Sequence, residues 1–178
     1  MKLIVFISCM FLSISAHSAN KSMPEVMSVE SENYYLCKEH TIKYAFVIKI
    51  AYVGLYLKDC KEEKNSLRVE DKLIRFNYQV NVDAKVFIDS AEEFYLKNLQ
   101  VTNATELKEL SRFNKFYENI KASEYYDIHH KQGQSLILYK NNEILGTSEN
   151  EIFSFNYFNI WFGKYPAVKP LKKSFINS

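Results

Sequence analysis

Residues 41–57 read TIKYAFVIKIAYVGLYL, a run in which only Lys43 and Lys49 are charged. β-branched and aromatic side chains dominate it and no helix cap opens it, so the pattern predicts a strand. On a regular strand Tyr44, Phe46, Ile48, Ile50, Tyr52 and Tyr56 share one face. Ala45, Val47, Ala51, Val53, Leu55 and Leu57 share the other with the two lysines. Two largely apolar faces predict a central strand covered on both sides. Gly54 marks a bend or a close backbone approach. Residues 34–38 form a shorter strand before this run. Residues 72–80 (KLIRFNYQV) alternate as a half-buried strand does. From Asp83 to about residue 99, Val86, Phe87, Ala91, Phe94, Tyr95 and Asn98 recur at helical spacing. Asn103 with Glu106 three residues on has the form of a capping box, and Leu107, Leu110, Phe113, Phe116 and Ile120 form the stripe of a second helix. Short strands follow at 124–130, 134–140 and 143–147, joined at Gln132-Gly133 and Asn141-Asn142. Residues 150–162 read as one almost wholly apolar helix stopped by Gly163, and Pro170 opens a last short helix carrying Leu171 and Phe175. The order of elements predicts an α+β fold with a large, mainly antiparallel sheet.

Composition narrows the function. A chain of 178 residues supports one domain, and 23 basic against 21 acidic residues leave no cationic excess for nucleic acid. With 4 Gly there is no glycine-rich phosphate loop. The 13 Tyr and 13 Phe supply either a large core or the lining of an apolar pocket. Residues 1–19 have the form of a secretory signal: Lys2, an apolar run from Leu3, then Ser15, Ala16, Ser18 and Ala19, with cleavage expected near Ser18 or Ala19. Residues 20–32 read as a flexible lead-in and 33–178 as the domain. The expectation is a periplasmic or secreted protein with no transmembrane span in its mature form. Cys37 and Cys60 then remain, and an oxidising compartment permits a disulfide between them, although nothing in the sequence brings them together.

Catalytic chemistry is sparse. His129 and His130 are adjacent on a strand and point to opposite faces, so they do not make a metal pair. Glu92-Glu93 reads as a solvated face. No GxSxG, HExxH or phosphate-loop pattern occurs. No metal or cofactor is expected, and no catalytic residue is assigned. Lys43 has two readings: a solvated strand end, or a cation at the edge of an apolar cavity that receives a carboxylate.

The runs AYVGLYLKDC (51–60) and IWFGKYPAVKPLKKSFI (160–176) resemble the chalcone isomerase-like family, in particular its exported bacterial branch. The matching pieces are Gly54-Leu55-Tyr56-Leu57, Ile160-Trp161-Phe162-Gly163, Pro166 and Leu171-Lys172. Residues 76–99 and the hairpin KNNEILG (140–146) fit in kind. The resemblance spans residues 34–176. It implies an open-faced β-sandwich, a large sheet with a layer of helices. The family's catalytic Thr falls on Ala51, and its Gly-x-Gly-x-Arg turn stands as Glu39-His40-Thr41-Ile42-Lys43. Members lacking the full catalytic set bind fatty acids, and the resemblance puts a ligand carboxylate at Lys43. Tyr44, Phe46 and Ile48, or their opposite-face neighbours, would line the tail. The expectation is a non-catalytic binder of a small apolar or fatty-acid-like ligand; the alternative is an intramolecular lyase.

Overall fold

The computed structural model describes residues 23–61, 71–99, 103–131 and 135–176. The stretch read as a secretory signal and the Gln132-Gly133 junction lie outside these residues. Seven strands run in chain order across one sheet: β1 (Val26–Val29), β2 (Glu32–Tyr44), β3 (Ile48–Leu57), β4 (Lys72–Tyr78), β5 (Tyr125–Lys131), β6 (Ser135–Lys140) and β7 (Glu143–Ser148). Every neighbouring pair is antiparallel. The helices are α1 (Ala84–Asn98), α2 (Ala104–Phe113), α3 (Glu151–Tyr157), α4 (Asn159–Phe162) and α5 (Lys169–Ile176).

The long apolar run is a hairpin and not a single strand. β2 ends at Tyr44, the chain reverses through Ala45, Phe46 and Val47, and β3 begins at Ile48. Ala45 and Phe46 take left-handed φ values of 48° and 65°, and Val47 N–H donates to Tyr44 O at 3.2 Å. That backbone normally selects Asn or Gly; with neither present, the reversal is hidden in the sequence. β3 is nonetheless central, flanked by β2 and β4, with Val53, Leu55 and Leu57 buried under the helices and Tyr56 buried on the other face.

Part of the stretch read as a flexible lead-in is also ordered: Val26–Val29 is the edge strand β1, held by Met27 buried beneath Tyr34. The apolar stretch 150–162 breaks into two helices at Phe158, because a helix apolar all round shows no period by which a break could be read. The second predicted helix ends early. α2 stops at Phe113, a 3-10 turn covers Asn114–Phe116, and Ile120 pairs as an isolated bridge with Val82.

Two apolar clusters lie on opposite faces of the sheet. The larger joins Val53, Leu55, Ile74, Phe76, Ile128 and Leu138 to Tyr95, Leu110, Phe113, Phe153 and Trp161 from the helices. The smaller contains Met27, Tyr34, Tyr56 and Leu73 on the inner face. Its geometry shows the curl. β2 and β5 are three strand spacings apart, roughly 14 Å on a flat sheet, yet the Tyr34 and His129 rings sit 5.1 Å apart, edge to face. The sheet therefore closes into a half-barrel around its inner face. Cys37, at a bulge in β2, is bridged to Cys60 beyond β3, with Cα atoms 5.1 Å apart.

Candidate functional site

Helix α1 lies on the sheet with Val86, Phe87, Ser90 and Ala91 turned toward it. Ala91 presents a methyl group where the neighbouring Phe87 and Phe94 present rings, and a cavity of about 130 Å³ remains beneath it. Its floor is Ile42 of β2, Phe76 and Tyr78 of β4, and Tyr126 and Ile128 of β5. Tyr117, Trp161, Ala167 and Val168 complete the wall. The rings fix one another edge to face: Phe87 lies 5.3 Å from both Tyr78 and Tyr126, and Tyr117 lies 5.5 Å from Tyr126. Such contacts hold aromatic walls in place and leave few empty directions. Val86 is 56% exposed, so the cavity opens at the first turn of α1.

The polar groups of this lining are hydroxyls. Tyr117 OH meets Tyr157 OH at 2.7 Å. Tyr126 OH donates to Glu118 O at 2.6 Å and accepts the Glu118 N–H at 3.0 Å. Burial pushes Tyr78 and Tyr117 well above 10 and Tyr126 up to about 12. These phenols stay protonated at any physiological pH. They do not act as bases, and the Tyr126 proton is already donated to Glu118 O. A larger groove of about 490 Å³ runs between α1 and α2 past Leu96, Leu107 and Leu110, but Glu92 and Lys115 also line it. The smaller cavity is the better apolar site because aromatic rings enclose it.

The inner face carries a separate buried polar network. Asp71 Oδ1 accepts from Tyr34 OH at 2.8 Å and lies 3.1 Å from His129 Nε2, while its Oδ2 meets Lys58 Nζ at 2.8 Å. Burial opposes the charge, yet bonds from His129, Lys58 and Tyr34 hold the carboxyl well below its ordinary range. Beside it, Arg75 grips Asp127 through two bonds of 2.6 Å and stacks over Tyr125 at 3.8 Å. Burial pushes Asp127 upward against the pull of that guanidinium.

The four ligand residues expected from sequence fall together, but not in the cavity. Tyr44, Phe46 and Ile48 are 68%, 94% and 50% exposed at the tip of the β2–β3 hairpin. Lys43 is exposed beside them, directly across from Lys49. None of the four lines the cavity; the lining begins one residue earlier, at Ile42. Of the residues that do line it, Val86, Phe87 and Ala91 stand on the apolar stripe predicted for α1. Phe87 and Ala91 follow the periodicity of any core-facing helix, Tyr126 lies in a predicted strand and Trp161 in a stretch without period, so the pattern offers no signal for a void among them.

The sequence profile of the chalcone isomerase-like family matches residues 15–176. The chain belongs to the chalcone isomerase-like family. Ala51 is buried opposite Ile42, next to the cavity floor. Among solved structures, the fold is similar to a fatty-acid binding protein of Arabidopsis thaliana, with 13% identity and a TM-score of 0.63. The match covers 87% of this chain and 91% of that one. No curated protein matches the chain. Among the described residues, no group of three or more His, Cys, Asp or Glu could hold a metal ion, and no helix is long and apolar enough to cross a membrane.

Proposed function

We propose that this chain is a non-catalytic binder of a small apolar or fatty-acid-like molecule, held in the cavity between α1 and the sheet. One observation carries the reading: an aromatic-walled cavity whose polar groups are neutral hydroxyls, in a fold shared with a fatty-acid binding protein. Binding sites are mostly apolar with a few placed polar groups. The volume of about 130 Å³ is close to that of an engineered dry cavity that takes up benzene. One ring or a short alkyl segment fits inside, and a longer tail would pass out by Val86. Ala51 supplies no hydroxyl and Lys43 no bidentate fork, which supports binding over ring closure.

Lys43 is assigned the head group of an acid whose tail enters past Ile42. The protein is further assigned to the family's exported bacterial branch and to the periplasm or cell exterior. The apolar run before Ser15 and the Cys37–Cys60 disulfide support that assignment.

Native mass spectrometry of the purified protein tests the reading, with a co-purified lipid expected. Titration then assigns the head group. Lys43→Met should weaken an alkanoic acid about 10- to 100-fold and leave the alcohol of equal length unchanged. Equal affinity of both proteins for the acid would remove Lys43 from the site.

A further inference from the structure

The β2–β3 hairpin tip goes beyond the cavity reading and does not depend on what the cavity holds. Three hairpins of this sheet turn through two successive left-handed residues: Glu30-Ser31, Ala45-Phe46 and Asn141-Asn142. Asn141-Asn142 uses the residue type this backbone favours. Glu30-Ser31 and Ala45-Phe46 do not, but only Ala45-Phe46 puts an apolar ring there, with Phe46 94% exposed. Val47 is 77% exposed, Tyr44 68% and Ile48 50%, so the apolar side chains of the tip point into solvent together. A turn shaped by folding alone has no use for an exposed aromatic ring on left-handed backbone.

The charges are arranged with equal bias. Residues 40–57 contain two lysines and no acidic residue. Lys43 and Lys49 stand directly opposite each other across the strand pair, a like-charge placement that a nearby anion relieves, and Lys49 Nζ also donates to Tyr52 OH at 2.9 Å. A second copy of the same tip would bring four lysines together, so charge disfavours self-association through it. An apolar tip with an aromatic ring, a Tyr and flanking lysines matches a membrane interface. The rings enter the head-group boundary, and the lysines meet lipid phosphates.

We propose that the β2–β3 hairpin is a membrane-docking element, with Phe46 and Val47 inserting into an anionic lipid surface and Lys43 and Lys49 pairing with its phosphates. Ile42, one residue inside Lys43, lines the cavity, so docking would set the cavity's edge beside the lipid.

Vesicle flotation of the full chain tests this, using phosphatidylcholine vesicles with and without about a third of phosphatidylglycerol. Wild type should float with the anionic vesicles, prefer them at least ~10-fold over neutral ones, and lose that preference as salt rises. Phe46→Asn with Val47→Asn should cut partitioning by roughly 10-fold or more. Asn suits the left-handed backbone at residue 46, and Val47 is 77% exposed, so this variant should melt no lower than wild type. Lys43→Gln with Lys49→Gln should cut anionic binding about 30-fold and leave neutral binding unmoved. Wild type that ignores anionic vesicles, or tip variants that float as wild type does, would overturn the proposal. So would a dimer in sedimentation that Phe46→Asn with Val47→Asn dissolves, in protein that does not float. The salt dependence of wild type alone is a further test needing no variant. Ligand titration of the Phe46→Asn, Val47→Asn variant without vesicles separates failure here from failure of the cavity reading.

Discussion

Asp71 is the residue on which the inner face turns. Its carboxylate serves His129, Tyr34 and Lys58 at once from a side chain only 10% exposed. Removing the charge leaves those donors facing a neutral amide. Asp71→Asn should therefore destabilise the fold by about 3 kcal/mol in denaturant unfolding. The folded carboxyl is held below its ordinary value of 3.8. The stability it contributes is thus complete at neutral pH and is lost as pH falls through and below that value. Wild type should lose stability in this acid window, and Asp71→Asn should show a flatter profile there. An identical pH dependence in both proteins would assign acid sensitivity to other carboxylates. Gly146 is a second such position. A Cβ there would lie 2.1 Å from the Phe116 ring. Gly146→Ala should cost about 1–3 kcal/mol, read as a lowered melting temperature. The sequence placed His129 and His130 on opposite faces, as found. It did not show that His129 bonds to Asp71, because the partners are 58 residues apart.

At the scale of elements, most strands and helices were legible because their periods are clean: β4, β5, β6, β7, α1 and α5 stand within a residue or two of the reading. The failures share one cause. Uniformly apolar stretches carry no period, so the turn at Ala45-Phe46 and the break at Phe158 left no trace in the pattern. The first of these puts Lys43, Tyr44, Phe46 and Ile48 at an exposed hairpin tip, where counting alternate residues along one strand is no guide to which of them face a cavity. The disulfide was equally out of reach. Cys37 and Cys60 meet only because β2 folds back along β3, which one continuous strand would have forbidden. Their separation of 23 residues closes a loop worth about 3 kcal/mol of unfolded-state entropy. Cys37→Ser with Cys60→Ser should lower unfolding free energy by that amount, and reducing agent should do the same to wild type only. Unchanged stability under reduction would mean that the bridge constrains little.

Across the whole molecule, the family and the α+β architecture were readable from a few local runs, but the cavity was not. It lies between Ala91 of α1 and Phe76 and Tyr126 of the sheet, a relation between distant segments. The role proposed for this space is to receive an apolar guest. Toluene titration, followed through the NMR shifts of the Ile42 and Ile128 methyl groups, tests it most directly. Saturable shifts confined to the lining are expected. Binding should be unchanged between pH 5 and pH 9, because burial keeps Tyr78, Tyr117 and Tyr126 protonated there. Ala91→Phe, which places a ring in the cavity, should abolish the shifts while the protein still melts cooperatively. Absence of saturable shifts in wild type, or equal binding by Ala91→Phe, would contradict it.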